Sequence, residues 1–177
     1  MILLAESITS AIIHAPQELI HLTTWLFTLK DHEYRACSSA HIAGGSSVSP
    51  DGKLLSLNVE MVGGNLLVQH YQEEISERSH CRVYSLSDSF SPMGHTKLGI
   101  TWELQAVRRS DKETELINHV MVWMTAEFDA LLHDVGITDL ESIKSRMTES
   151  LAGHNQEETP RFAQDIEQKA QGGIWLA

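Results

Sequence analysis

The chain has 177 residues, 42% of them hydrophobic and 21% charged, which suits one globular domain and leaves too little for two separate cores. A formal net charge of −11 repels phosphate backbones and anionic headgroups, so nucleic acid and membrane surfaces are poor partners. No apolar run approaches the ~18 residues of a spanning helix. The apolar start, MILLAESI, has no basic residues and reaches Glu6 too soon for a signal peptide. No membrane insertion and a cytoplasmic location are expected. The two cysteines, Cys37 and Cys81, are then free core thiols.

The first stretch, Ile8-Thr9-Ser10-Ala11-Ile12-Ile13, alternates and is rich in β-branched residues, so it reads as a strand. Pro16 can sit in the first turn of a helix, where its missing N–H is no loss. The spacing of Leu19, Ile20, Leu22 and Leu26 continues that helix, with a break placed near Thr23-Thr24. A second strand is expected over 35–43, ended by Gly44-Gly45, before a turn at Ser49-Pro50-Asp51-Gly52. Leu54 to Val62 alternates cleanly, with Leu55, Leu57, Val59 and Met61 set against Ser56, Asn58 and Glu60. Gly63-Gly64 makes a hairpin turn, and strands follow over 66–75, 78–88, 97–107 and 115–124. The period then changes to that of helices. Phe128, Leu131, Leu132 and Val135 share one face, Gly136 interrupts, and Thr138-Asp139-Leu140-Glu141 has the form of a capping box. Ile143, Met147 and Leu151 extend the stripe; Gly153 and the polar HNQEET mark a break before a short last helix over 160–170. The tail, GGIWLA, is apolar enough to dock on its own domain or on a second copy, so a homodimer is one expectation.

The order is one strand, a helical segment, six strands and C-terminal helix. That order fits an α+β domain with an antiparallel sheet and its helices on one face. Residues 1–177 form one domain in this reading, with a core over about 6–151 and a helical extension over about 154–177.

Three stretches resemble the helix-grip superfamily, which includes START-like lipid-binding domains, plant hormone-receptor proteins and polyketide cyclase/dehydrase-like (SRPBCC) proteins. SAIIHAPQELIHLTTWL is similar to that superfamily's first strand and its Ala-Pro-x-Glu helix start. LGITWELQAV followed by TELINHVMVWMT is similar to its last two strands, and a helical C-terminus completes the likeness over roughly 7–151. The resemblance implies a curved seven-stranded antiparallel sheet wrapped around a long C-terminal helix. Between them it implies a cavity for a small hydrophobic molecule: a lipid, an aromatic or a polyketide-like compound. Gly136 departs from the superfamily's single long last helix, and no catalytic residue carries over, because those differ among its members.

Side-chain alternation nominates the cavity wall from the residues themselves. Leu98, Ile100, Trp102 and Leu104 share a face, as do Ile117, His119, Met121 and Trp123, and Leu66, Val68 and His70. Tyr84 is a further candidate donor, and Asn118 is assigned to the solvent side. The expected ligand contacts are therefore Val68, His70, Tyr84, Ile100, Trp102, His119, Met121 and Trp123. His70 and His119 are the candidate acid–base groups. Each of these histidines can equally be a structural imidazole bonded to a neighbouring carbonyl or hydroxyl. The ten histidines form no H-E-x-x-H or Cys-x-x-Cys pattern, so no metal is expected. The glycine pairs lie at strand turns and not ahead of helices, so no phosphate loop and no cofactor are expected. A G-x-S-x-G elbow is absent. Three functions stay open: a binder of small hydrophobic molecules, an acid–base enzyme of cyclase or dehydratase type, and an interaction module with a filled core.

Overall fold

The computed structural model describes residues 1–176. Seven strands form one sheet: β1 Leu3–Ile13, β2 His41–Val48, β3 Leu54–Val62, β4 Asn65–Ser76, β5 His80–Ser91, β6 Gly94–Arg108 and β7 Thr114–Trp123. Their spatial order is β1-β7-β6-β5-β4-β3-β2, and every neighbouring pair is antiparallel. Short turns suffice from β2 to β7, because each strand lies beside the next. At the β3–β4 turn, Gly63 and Gly64 both have positive φ (57° and 80°), as a two-residue hairpin turn of matching twist requires. β1 and β2 are the two edges of the sheet, so the chain between them must cross its whole width. A single 3-10 turn, Gln17–Leu19, and two short helices, α1 Leu22–Thr28 and α2 Asp31–Ala36, make that crossing over the concave face.

Two sequence expectations fail in this crossing. The helical break falls at Ile20-His21 and not at Thr23-Thr24, because the His21 imidazole caps α1, its Nδ1 accepting from the Thr24 amide at 3.3 Å. The strand expected over 35–43 is instead α2 followed by β2. Helix signals outweigh the alternation there: the Glu33 carboxylate accepts from the Lys30 amide at 2.8 Å, and Asp31 pairs with Arg35 one turn on at 2.9 Å. Gly44 lies inside β2 and does not end it. A Cβ at that position would come within 2.8–2.9 Å of the Tyr34 ring, so only glycine lets α2 lie this close to the strand.

After β7 come α3, Ala126–Asp134, and α4, Leu140–Gln171, separated by Gly136 in a positive-φ conformation (74°). The Asp139 carboxylate, one residue later than expected, caps α4 by accepting from the Ser142 amide at 3.0 Å. The break expected at Gly153 and HNQEET is absent, and α4 runs 32 residues through both Gly153 and Pro160. Pro160 is exposed, as is Gln156 one turn before it, so water can take the place of the missing amide donor. The buried side of the helix is stitched to the sheet. Asn155, fully buried, donates to the Ser7 carbonyl and hydroxyl on β1 and to the Asn118 carbonyl on β7 at 3.0–3.3 Å.

The core is filled unevenly. Around the C-terminal half of α4, Phe162, Ile166 and Ala170 pack with Leu22, Trp25 and Leu26 of α1. The Trp25 ring meets Phe162 edge-on at 5.2 Å, and its indole N–H donates to Asp165 at 2.7 Å. Trp175 in the tail is buried and its carbonyl accepts from Arg78, so the tail docks on its own domain. Cys37 and Cys81 are free and buried, and burial pushes their thiols up to about 12 and about 11, which makes neither a reactive thiolate. The N-terminal half of α4 has no helix beneath it to match α1, and there the concave face is left open.

The docking of α4 gives a direct test. Asn155→Ala removes donors to buried acceptors on two strands, and we expect a loss of about 1–3 kcal/mol in unfolding free energy by urea denaturation. Gln156→Ala, on the exposed side of the same turn, should stay within about 0.5 kcal/mol of the parent.

Candidate functional site

A cavity of about 440 Å³ lies between the concave face of the sheet and the N-terminal half of α4. Exposed Gly64, Pro92 and Arg146 on its rim place the mouth between the two hairpin tips and the start of α4. Gly63 sits tight against this rim: a Cβ there would meet Ser150 at 2.7–2.9 Å. The walls are mostly apolar, with Leu67, Leu98, Ile100, Val120 and Val122 from the sheet facing Ile143 and Met147 from α4. One wall group is unmatched, since the buried Thr96 Oγ1 has no hydrogen-bond partner among the described residues.

The deep end is different in kind. Following α4 inward from Ile143 to Glu158, roughly 22 Å along its axis, the wall becomes polar and ionisable. His154 and Glu158, one turn apart, share a face of the helix and meet Glu60 from β3 and His41 from β2. His154 Nε2 lies 3.1 Å from Oε2 of both Glu60 and Glu158. His41 Nε2 lies 3.1 Å from Glu158 Oε2 and 3.6 Å from Glu60 Oε2. All four side chains are nearly or fully shielded from solvent, with His41 at 0% exposure.

Each member is also held from behind. His41 Nδ1 lies 2.6 Å from the Tyr34 carbonyl, which can only accept, so Nδ1 carries the hydrogen and Nε2 faces the carboxylates. The Tyr34 ring stacks on the His41 ring at 3.8 Å. The second oxygen of Glu60 accepts from Gln69 at 2.8 Å, and that of Glu158 accepts from Asn118 at 3.1 Å. Asn118 is fixed in turn by the Trp102 indole at 2.9 Å. Burial by itself pushes the His154 imidazolium down. Hydrogen bonds to Glu158 and Glu60, together with their charges, outweigh it and raise His154 to about 11. Burial likewise opposes the charged form of Glu158, but the charge of His154 and hydrogen bonds from His154 and His41 hold it as a carboxylate, below its ordinary range. Tyr71 on the same wall is pushed well above 10, first by burial and then by the two glutamates, so it remains a neutral donor. Four potential metal-ligand atoms, one from each of His41, Glu60, His154 and Glu158, lie within 4.8 Å of one another.

No protein-family model matches the chain, and no curated protein resembles it in sequence. Solved structures do match in shape. The Zhui aromatase/cyclase from Streptomyces sp. R1128 superposes with a TM-score of 0.65 at 12% identity, covering 93% of this chain and 94% of that one. The di-domain ARO/CYC BexL from the BE-7585A biosynthetic pathway superposes with a TM-score of 0.55 at 11% identity, over 92% of this chain and 50% of that one. A protein from Thermus thermophilus superposes with a TM-score of 0.52 at 14% identity, over 94% and 97% of the two chains. The chain has the helix-grip fold.

Within the helix grip, only part of the nominated wall faces inward. Ile100 and Trp102 line the cavity. Val68 and His70 point the other way, into a shallow groove on the outer face of the sheet beside Leu57 and Val59. Tyr84, Met121 and Trp123 are also on the outer face, where the Trp123 indole donates to Thr101 at 3.0 Å. His119 is bonded to Glu6 of β1 at 2.7 Å, the structural alternative for this residue. The inward residues of β4 and β7 are Leu67, Gln69 and Tyr71, and Leu116, Asn118, Val120 and Val122; Asn118 is fully buried and not at the solvent side. On β3, whose alternation leaves the inner face unassigned, the polar set, Ser56, Asn58 and Glu60, is buried, while Leu57 and Met61 are exposed. The cause is common to all three strands. The inner face must supply polar partners to the ionisable groups of α4: on β3 this makes the inner face the more polar one, and on β4 and β7 it places Gln69 and Asn118 among the inner apolar residues, so that both faces look alike in sequence. His41 and His154, which no motif marked, are the histidines at the cavity's end. The spacing Met147, Leu151, His154, Glu158 is the signal that could have found the second of them, had the helix not been ended at Gly153.

The His154–Glu158 pair sets a pH dependence. A carboxylate held below its ordinary 4.5 contributes stability in full above about that pH and loses it as pH falls. An imidazolium held above its ordinary 6.5 contributes in full below about that pH and loses it as pH rises toward about 11. With chelator present, the gap in melting temperature between the parent and Glu158→Gln should be widest between about pH 4.5 and 6.5 and shrink on both sides. Thermal unfolding across pH checks this, and a gap that does not vary with pH contradicts it.

Proposed function

We propose that this protein binds a small, mostly apolar molecule bearing a hydroxyl or carbonyl group. The observation that carries the reading is the cavity: about 440 Å³, apolar along its walls, with ionisable groups gathered at its closed end. This volume falls in the range of ligand pockets, and a few polar groups in an apolar wall are what orients a ligand. The cavity also speaks against an interaction module with a filled core. Thr96 Oγ1 gives the ligand a second polar point, because a buried hydroxyl left unpaired costs about 1–3 kcal/mol and a ligand oxygen can pair it. The aromatase/cyclases of similar fold support a flat aromatic or polyketide-like compound as the class to test first.

One observation favours a catalytic variant of the same reading. The ionisable cluster and the neutral Tyr71 phenol lie where the oxygen of a deeply bound carbonyl compound would end. Proton transfer there could drive a cyclisation or dehydration.

Titration with an environment-sensitive apolar dye, displaced by polycyclic phenols, tests the binding reading. Leu98→Trp fills the cavity from its wall and should weaken binding by at least about tenfold, the effect of ~1.4 kcal/mol, with the circular dichroism of the parent retained. Thr96→Val should weaken a phenol by about 1–3 kcal/mol and its deoxy analogue far less. A folded Leu98→Trp protein that binds as tightly as the parent refutes the reading. Recovery of the bound compound with altered mass supports the enzyme, and recovery unchanged supports the binder.

A further inference from the structure

We infer that His41, Glu60, His154 and Glu158 form a binding site for one divalent transition-metal ion, of which Zn²⁺ fits best. The four donor atoms, His41 Nε2, Glu60 Oε2, His154 Nε2 and Glu158 Oε2, come from two strands and one helix and converge on one point. Four of the separations among them are 3.1, 3.1, 3.1 and 3.6 Å. An ion at ~2.0–2.1 Å from four tetrahedral ligands sets its ligands about 3.3–3.4 Å apart. Four of the six edges are therefore already close to those of a coordination tetrahedron, and the remaining two, nitrogen to nitrogen and oxygen to oxygen, are no longer than 4.8 Å, so small adjustments would seat an ion.

The surroundings match a metal site as well as the distances do. A metal-bound histidine characteristically donates its other ring N–H to a carbonyl or carboxylate, as His41 does to Tyr34 at 2.6 Å. His154 Nδ1 has the Ser38 hydroxyl at 3.4 Å, and the outer oxygens of Glu60 and Glu158 are held by Gln69 and Asn118. Charge points the same way. A metal binds the unprotonated Nε2 of each imidazole, so loading the site releases the protons held there; the two carboxylates beside two neutral imidazoles then sum to −2, which one divalent cation cancels, and two nitrogens and two oxygens are donors that zinc accepts. The other histidine–carboxylate contacts do not have this form: His119 with Glu6 and Glu103, His80 with Glu103 and His95 with Asp88 are partly exposed on the outer strand faces, and His14 with Glu113 and His133 with Asp134 are exposed. Glu60, His154 and Glu158 also line the cavity, so an oxygen of a bound molecule could complete the ion's shell.

The inference does not depend on what fills the cavity, because the metal is tested alone. Full-length protein, dialysed against chelator, is titrated with Co²⁺ and then with Zn²⁺. The expected result is one Co²⁺ per chain, with the intense visible absorption of four-coordinate cobalt, displaced by one equivalent of Zn²⁺. His154→Gln and Glu60→Gln should weaken binding by more than about 100-fold, beyond the 10–100-fold typical of an outer-shell partner. His119→Gln, on the outer face, should bind as the parent does. X-ray absorption of the zinc-loaded parent reads the site without any variant that could misfold, and two imidazoles in the first shell are expected. No uptake by the parent, folded His154→Gln protein that binds like the parent, or a first shell without imidazole overturns the proposal. A parent that takes up no metal yet binds the dye leaves the binding reading standing, so the two can fail separately.

Discussion

Two carboxylates buried in the middle of a protein must be neutralised where they lie, and that constraint organises this molecule. Glu60 and Glu158 are brought together by a strand and a helix that are nearly a hundred residues apart in sequence, and His41 and His154 meet them on the remaining sides. Removing one member would leave its partners charged and dry, a loss that in buried pairs reaches about 3–5 kcal/mol. The cluster therefore fixes the rotation of α4 about its own axis, since only one face of the helix carries both His154 and Glu158. Asn155 then locks that rotation from the next position along, by bonding to β1 and β7.

From the cluster, requirements run outward through the fold. His41 needs its Nδ1 hydrogen accepted and finds the Tyr34 carbonyl, which brings α2 against β2. That approach leaves no room for a side chain at residue 44. Glu158 needs Asn118, and Asn118 needs the Trp102 indole, so the polar network reaches the centre of the sheet. The sheet's inner face thus has two zones. The zone under the C-terminal half of α4 is closed by α1 and its tryptophan, and the zone under the N-terminal half stays open. The ionisable cluster marks the border, which is why it forms the end of the cavity instead of being sealed in the core.

The strand-rich middle and the helical C-terminus were legible in the sequence because turn chemistry is local. Gly63-Gly64 announces its hairpin whatever surrounds it, and Gly136 stops α3 in the same way. Facing was harder to read. On β6 the apolar set is also the inner set, so Ile100 and Trp102 were placed at the wall. On β3, β4 and β7 both faces carry large apolar residues or the inner one is the more polar, and alternation alone then favours the wrong side. The ionisable cluster was invisible for a related reason. His41 lay in what read as the end of a strand, and His154 and Glu158 in a polar run that read as a break. Only the long-range meeting of these segments with Glu60 gives them a shared meaning.

The close contact of Gly63 with Ser150 has a consequence for the shape of the opening. At that point the backbone of the β3–β4 hairpin lies directly against the short Ser150 side chain of α4, so one side of the mouth is set by backbone against helix. The opposite side is built from the β5–β6 turn at Pro92-Met93, whose methionine is long and unbranched. The aperture is thus a fixed jaw facing an adjustable one. A visiting molecule's breadth would be gauged against the former and accommodated by the latter.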